Sequence, residues 1–161
     1  DQISQAMEHY AQTCAVQPRA TVKTLVMATI DYLERMKGGE LPQSPPVLTK
    51  HSRISDFEKW LTHPDAVQPA DAGQIHARII GYTPTATTAI VWVREHTEKE
   101  VHHDEHERFL ILEGTCQMRA GDRTYNLAAG DYFAVPLHTE HQLTVTSPTS
   151  CKAILQRLSV G

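Results

Sequence analysis

The chain has 161 residues, of which 40% are hydrophobic and 21% charged, with 15 Lys and Arg against 19 Asp and Glu and a formal charge of -4. That length suits one domain with a core and a helical extension, and it leaves no room for two large domains. The acidic balance, with no basic stripe interleaved with aromatic residues, excludes direct nucleic-acid binding; the lack of an apolar run of roughly 20 residues or of a secretory leader excludes a bilayer span and points to a soluble, cytoplasmic protein.

The first 40 residues carry a helical rhythm. Ile3, Met7, Tyr10 and Cys14 recur at spacings that place them on one face of a first helix ending near Val16. Pro18 suits the first turn of a second helix, in which Val22, Leu25, Val26, Ile30, Leu33 and Met36 form an apolar stripe and Gly38-Gly39 marks the end. Residues 41–74 read as a linker: Leu41-Pro42-Gln43-Ser44-Pro45-Pro46 denies the backbone its regular hydrogen bonds, and a short helix capped by Ser55 follows, turning Phe57, Trp60 and Leu61 toward the body of the protein. Because the chain opens on Asp1 without a Met, further residues are expected upstream.

Residues 75–161 read as strands, at 75–82, 87–94, 108–112, 116–119, 124–127, 132–135, 142–146 and 151–158. All are short, rich in β-branched or aromatic residues, and separated by breaks such as Thr83-Pro84, Gly114, Gly121-Asp122 and Gly130-Asp131. This density of short strands predicts an antiparallel jelly roll or sandwich preceded by helices. Cys14, Cys116 and Cys151 are odd in number and widely spaced, which argues against a disulfide framework or a zinc ribbon; Cys116 and Cys151 read as small buried hydrophobes.

The chemistry concentrates between Glu100 and Gly114 and again between Gly130 and His141. Strand alternation groups Glu100 with His102, and Glu107 with Phe109 and Ile111, while His141 falls with Leu143 and Val145 at the mouth of an apolar face. For His102 and Glu107 both to point inward, a bend or bulge must reset the alternation near Asp104-Glu105. His103 and His106 should face the other way as solvated residues, with His103 in reserve as a ligand if the register slips by one. Asp104 and Glu105 read as a charged turn, and His138 as a surface turn residue or a gate.

The segment 100–114 resembles the first cupin motif, His-x-His, four residues, Glu, six residues, Gly: His102, Glu107 and Gly114 fit, and Glu100 replaces the first His. Residues 130–141 resemble the second motif, Gly, five residues, Pro-x-Gly, two residues, His. Here Gly130, Pro136 and His141 fit, His138 stands at the second Gly, and Val145 stands at the motif's final Asn. The resemblance implies a mainly β, antiparallel double-stranded β-helix barrel with an N-terminal α-helical extension, holding one divalent ion on His102, Glu107 and His141 with Glu100 in place of the missing His. Two imidazoles and a carboxylate suit Fe(II), and also Mn, Ni, Co, Cu or Zn; a second carboxylate favours the harder ions.

Cupins host dioxygenases, isomerases, storage proteins and regulators, so the resemblance leaves activity open. The helix pair joined through a proline-rich linker is similar to the last part of an anti-sigma domain, and some anti-sigma factors carry a cupin at the C-terminus. The first reading is therefore a regulatory, metal-binding cupin with a sigma factor as partner, in which an ion or small ligand is sensed by the helices. The second is a small metalloenzyme of the non-heme oxygenase kind, with His138 or Glu140 as acid or base, and the third a metal-free sugar or metabolite binder. Leu110 and Leu112, on the outer face of their strand, predict a homodimer that covers them.

Overall fold

The computed structural model describes residues 1–13 and 20–160. Helix α1 spans Gln2–Thr13 and α2 spans Ala20–Lys37. A 3-10 turn at Ile54–Phe57 runs into a one-turn helix, α3, Glu58–Leu61. Eight strands follow: β1 Ile75–Thr83, β2 Ala86–Val93, β3 Glu105–Glu113, β4 Thr115–Ala120, β5 Arg123–Ala128, β6 Tyr132–Val135, β7 His141–Val145 and β8 Cys151–Ser159. They form a five-stranded sheet in the order β1-β2-β8-β3-β6 and a three-stranded sheet in the order β5-β4-β7, with antiparallel neighbours throughout. The segment after β2 extends the smaller sheet through bridges His96 to Thr144 and Glu100 to His141. The architecture is mainly β and antiparallel, with helices at the N-terminal end, as the residue pattern predicts.

Alternation explains where the core sits. Ile79, Val91, Phe109, Ile111, Ala153 and Leu155 of the large sheet meet Cys116, Met118, Leu127 and Leu143 of the small one, and all are buried. Cys116 and Cys151 are free thiols in this core, as expected of small hydrophobes. Gly114, in the left-handed region at φ 77°, turns β3 into β4, and a Cβ there would press into Ser147 and the Ser150 backbone.

The outer face of the large sheet is covered by the chain itself. Ile80, Ile90, Trp92, Leu110, Leu112 and Ile154 pack with Leu48, Phe57 and Ala66 from the linker. Leu110 and Leu112 are thus buried without a second chain, which removes the observation that pointed to a homodimer. The short helical segment is capped through Asp56, whose carboxylate accepts from the Arg53 N–H at 2.9 Å; Ser55, expected as the cap, lies inside the turn.

Helix α2 ends as expected. Gly38 N–H donates to Glu34 O, Glu40 N–H to Arg35 O, and Gly39 takes φ 96°, the glycine-dependent stop that satisfies the last carbonyls. Its packed face differs from the expected one. Thr21, Ala28 and Tyr32 are buried, whereas Val22 and Leu33 of the apolar stripe remain exposed. The small side chain of Ala28 lets the helix approach the sheet, and Arg35 fastens it by donating from Nη1 to Ile79 O at 2.9 Å. The expected roles of Cys14, Val16 and Pro18 fall outside the described residues, as does the side chain of Tyr10.

Candidate metal centre

Four residues converge between the sheets: Glu107 and His141 on strands, Glu100 bridged to His141, and His102 in the irregular stretch that follows. Glu100 is fixed by a reciprocal backbone pair, donating its N–H to His141 O at 3.0 Å and accepting from His141 N–H at 2.9 Å. His102 follows two residues later on the same side, and its carbonyl accepts from His138 N–H at 2.8 Å. The chain is irregular from 101 to 104 and resumes as β3 at Glu105. That irregular stretch is the bend the sequence requires, and it lets Glu107 point inward with Phe109 and Ile111. His141 opens β7 on the inward face with Leu143.

One ligand atom from each of Glu100, His102, Glu107 and His141 lies within 4.8 Å of the others. Glu107 is the hub: Oε1 is 3.0 Å from His141 Nε2 and Oε2 is 3.1 Å from His102 Nε2. Glu100 Oε2 stands 3.4 Å from His102 Nε2. A fifth residue joins them. Arg157, cross-strand neighbour of Glu107 on β8, donates from Nε to Glu107 Oε2 at 2.9 Å and from Nη2 to Glu100 Oε2 at 3.5 Å. Strand parity held the signal for it, because Cys151, Ala153 and Leu155 face the core and the next inward position is 157.

Burial opposes the charge on Glu107, but His102, His141 and Arg157 outweigh it and hold the carboxyl well below its usual range. Glu100 first, and Glu107 second, raise the His102 imidazole to about 9 against the opposing effect of burial.

The residues fit a cation. His141 Nδ1 sits 3.3 Å from the Thr139 carbonyl and its Nε2 3.0 Å from Glu107 Oε1, so both nitrogens of the ring meet oxygen acceptors. His102 Nε2 is buried with no aligned hydrogen-bond partner among the described residues, even though two carboxylates lie close to it. Converging acceptors with a buried nitrogen left unmatched call for a proton or a metal ion between them. The set of two imidazoles and two carboxylates can hold one divalent ion, and Arg157 compensates the second carboxylate.

Other candidates lie elsewhere. His103 is exposed and its Nδ1 meets His138 Nδ1 at 2.7 Å, with the rings stacked at 5.0 Å, so it is outside the cluster. His138 and Glu140 are exposed and are not among the four clustered residues.

Residues 88–159 match the family model described as "Cupin domain". The match, over less than half of the chain, makes this part similar to cupin domains. His138, which stands where the cupin motif has a glycine, keeps the left-handed backbone that position demands, at φ 60°. Glu100, in place of the motif's first His, brings its carboxylate into the cluster. Among solved structures, the chain is similar to the cupin domain of Schizosaccharomyces pombe Cnp3 (12% identity, 55% of this chain and 67% of that one, TM-score 0.52). It is also similar to KdgF from Halomonas sp. (20% identity, 58% and 87%, TM-score 0.50) and to a predicted oxalate decarboxylase from Thermotoga maritima (16%, 55% and 83%, TM-score 0.52). Such low identities establish a shared fold and nothing about activity. No protein of curated function is similar in sequence.

Proposed function

We propose that this chain is a metal-binding regulatory cupin protein, resembling cupin-type anti-sigma factors, in which an ion on Glu100, His102, Glu107 and His141 is sensed by α1 and α2. The observation that carries this reading is the position of the helices. Thr21, in the first turn of α2, lines the cavity inside the sandwich together with Glu100, Glu107, His141 and Arg157, and also lines the space outside it with Glu100, His102 and Arg157. A rearrangement of the cluster would change the surroundings of Thr21.

A bound ion would supply a positive centre that organises the four donors. The residues do the rest: Thr139 O, beside His141 Nδ1, orients the ring of His141, the backbone pair between residues 100 and 141 sets the reach of Glu100, and Arg157 restrains both carboxylates. The oxygenase alternative needs room for an organic substrate beside the ion; the cavity of about 40 Å³ inside the sandwich lacks it, so a substrate would have to approach from the helix side, where Glu100, His102 and Arg157 line a larger space.

Elemental analysis of the purified full chain tests the first half of the proposal, with one divalent ion per chain expected and its loss in His102→Ala and His141→Ala. An ion retained in the double variant overturns the ligand set. Co-purification tests the second half: a sigma factor retained by the wild-type chain supports the regulatory reading, and a monodisperse chain that never retains one overturns it.

A further inference from the structure

Between the helices and the cluster lies a second, much larger space. A cavity of about 810 Å³ is walled by Ile3 and Met7 of α1 and by Leu25, Val26 and Ile30 of α2, and its floor is Glu100, His102 and Arg157. Its size is that of a small-molecule site, which runs from roughly 300 to 1,000 Å³ and is apolar with a few convergent polar groups. The geometry points to a binding site for a small amphiphilic carboxylate, its apolar body between α1 and α2 and its head group on Arg157 and Thr21. This deepens the sensory reading by naming a ligand class, and it rests on that reading only for the regulatory consequence.

Three observations support the choice of ligand. Thr21 is only 8% exposed, yet its hydroxyl is buried with no hydrogen-bond partner among the described residues, and it lines the cavity. A buried hydroxyl left unmatched is costly unless something fills its hydrogen-bonding capacity, and a carboxylate oxygen does so. Arg157 uses Nε and Nη2 on Glu107 and Glu100, while Nη1 has no acceptor among the described residues, so a donor remains for a head group. Among the described residues the walls offer no charged side chain to a ligand's body, whereas the floor is charged, so a ligand must be two-ended to satisfy both. A carboxylate matches this asymmetry because the floor supplies donors; a divalent ion in the cluster would add to the attraction by making the floor net positive.

The test uses the full chain, with and without added Zn(II) or Mn(II), titrated calorimetrically with decanoate, decanol and acetate. Decanoate is expected to bind at one site per chain, and decanol and acetate at least about tenfold more weakly, since each lacks one end of the match. Thr21→Val and Arg157→Gln should each weaken decanoate while leaving decanol unchanged, and Val26→Glu should abolish decanoate binding. Arg157→Lys, which keeps a cation, covers the case in which Arg157→Gln does not fold; it should retain part of the binding. Equal affinity for decanoate and decanol, no saturable binding, or undiminished binding in Val26→Glu overturns the site. So does light scattering that shows the helices buried in a dimer whose dissociation is not driven by decanoate. Elemental analysis of the same samples separates the two proposals: decanoate binding without a retained metal sustains this site and defeats the metal reading, and the reverse result does the opposite.

Discussion

Two N-terminal pieces of this chain lie on the same β domain, and they lie on it differently. The linker seals its face: Leu48 and Phe57 are 0% exposed, Pro45 sits so close to Gly81 that any side chain there would collide with it, and Gln156 ties the strands to the linker. Its amide donates to Pro46 O and to Thr88 Oγ1, and its Oε1 accepts from Leu48 N–H. The helices cover the opposite region loosely, leaving Val22, Met27 and Leu33 exposed and a cavity above the charged cluster. A seal maximises buried apolar area and satisfied polar groups. A loose cover keeps space and exposed apolar surface, which costs stability and is retained where something has to enter or bind.

The sharpest way to break the contrast is to cut the seal. Phe57→Ala should destabilise the chain by about 3 to 5 kcal/mol in denaturant melts, because a fully buried ring is replaced by a cavity that rigid strands cannot close. A cost below about 1 kcal/mol would mean that the linker does not seal the sheet in solution. Gln156→Ala should follow at about 2 to 3 kcal/mol, since it strands the Leu48 N–H and the Thr88 hydroxyl in a dry environment. Gln156→Glu separates hydrogen bonding from volume: an isosteric side chain that has lost its amide donors should cost at least as much.

The cluster itself should show its charge state as a dependence on pH. In the metal-free chain His102 titrates at about 9 when folded against 6.5 when unfolded, so its stabilisation is fully present below about 6.5 and is lost as pH rises toward 9. Glu107, lowered by its partners, contributes stability above the ordinary carboxylate range and loses it as the solution becomes strongly acidic. The metal-free protein should therefore melt highest between about pH 4.5 and 6.5, and saturating Zn(II) should move that optimum upward by competing with the proton on His102. A melting temperature unchanged between pH 6.5 and 9 in the metal-free chain would show that His102 does not stand between two ionised carboxylates.

Much of this was legible in the residues. The strands announced themselves through alternation and through glycine and proline breaks, and the first and last residues of most of them fall within one or two positions of the expected ones, because a half-buried strand has a period that few other structures share. The gathering of Glu100, His102, Glu107 and His141 was implied by the resemblance to the cupin motifs; alternation alone put His102 and Glu107 on opposite faces unless a bend, the irregular stretch 101–104, lay between them. Arg157 was not, although its parity was available, because a single cation near the end of an apolar strand reads as a solvated terminus until its partner strand is known. The packed face of α2 was misread because periodicity finds the most apolar stripe, whereas close approach to β1 selected Ala28 and Tyr32. The covering of Leu110 and Leu112 was hidden by composition: a proline-rich stretch looks like a spacer, yet the linker it opens buries Leu48 and Phe57 completely against the sheet.

The smallest expected effect tests the loose half of the contrast. Leu33 is 47% exposed on the cavity side of α2, so Leu33→Ala removes little buried area and should change stability by no more than about 0.5 kcal/mol in dilute solution of the purified chain. The same substitution made at a core leucine such as Leu110, which is 0% exposed, should cost about 2 to 5 kcal/mol. If Leu33→Ala instead matches the core value, the stripe is buried in solution by a partner, and the cover is as tight as the seal. If the small cost found in the isolated chain becomes a large one only when a sigma factor or decanoate is present, the exposed stripe is the surface that those molecules occupy, and the looseness of the helices has its physical reason.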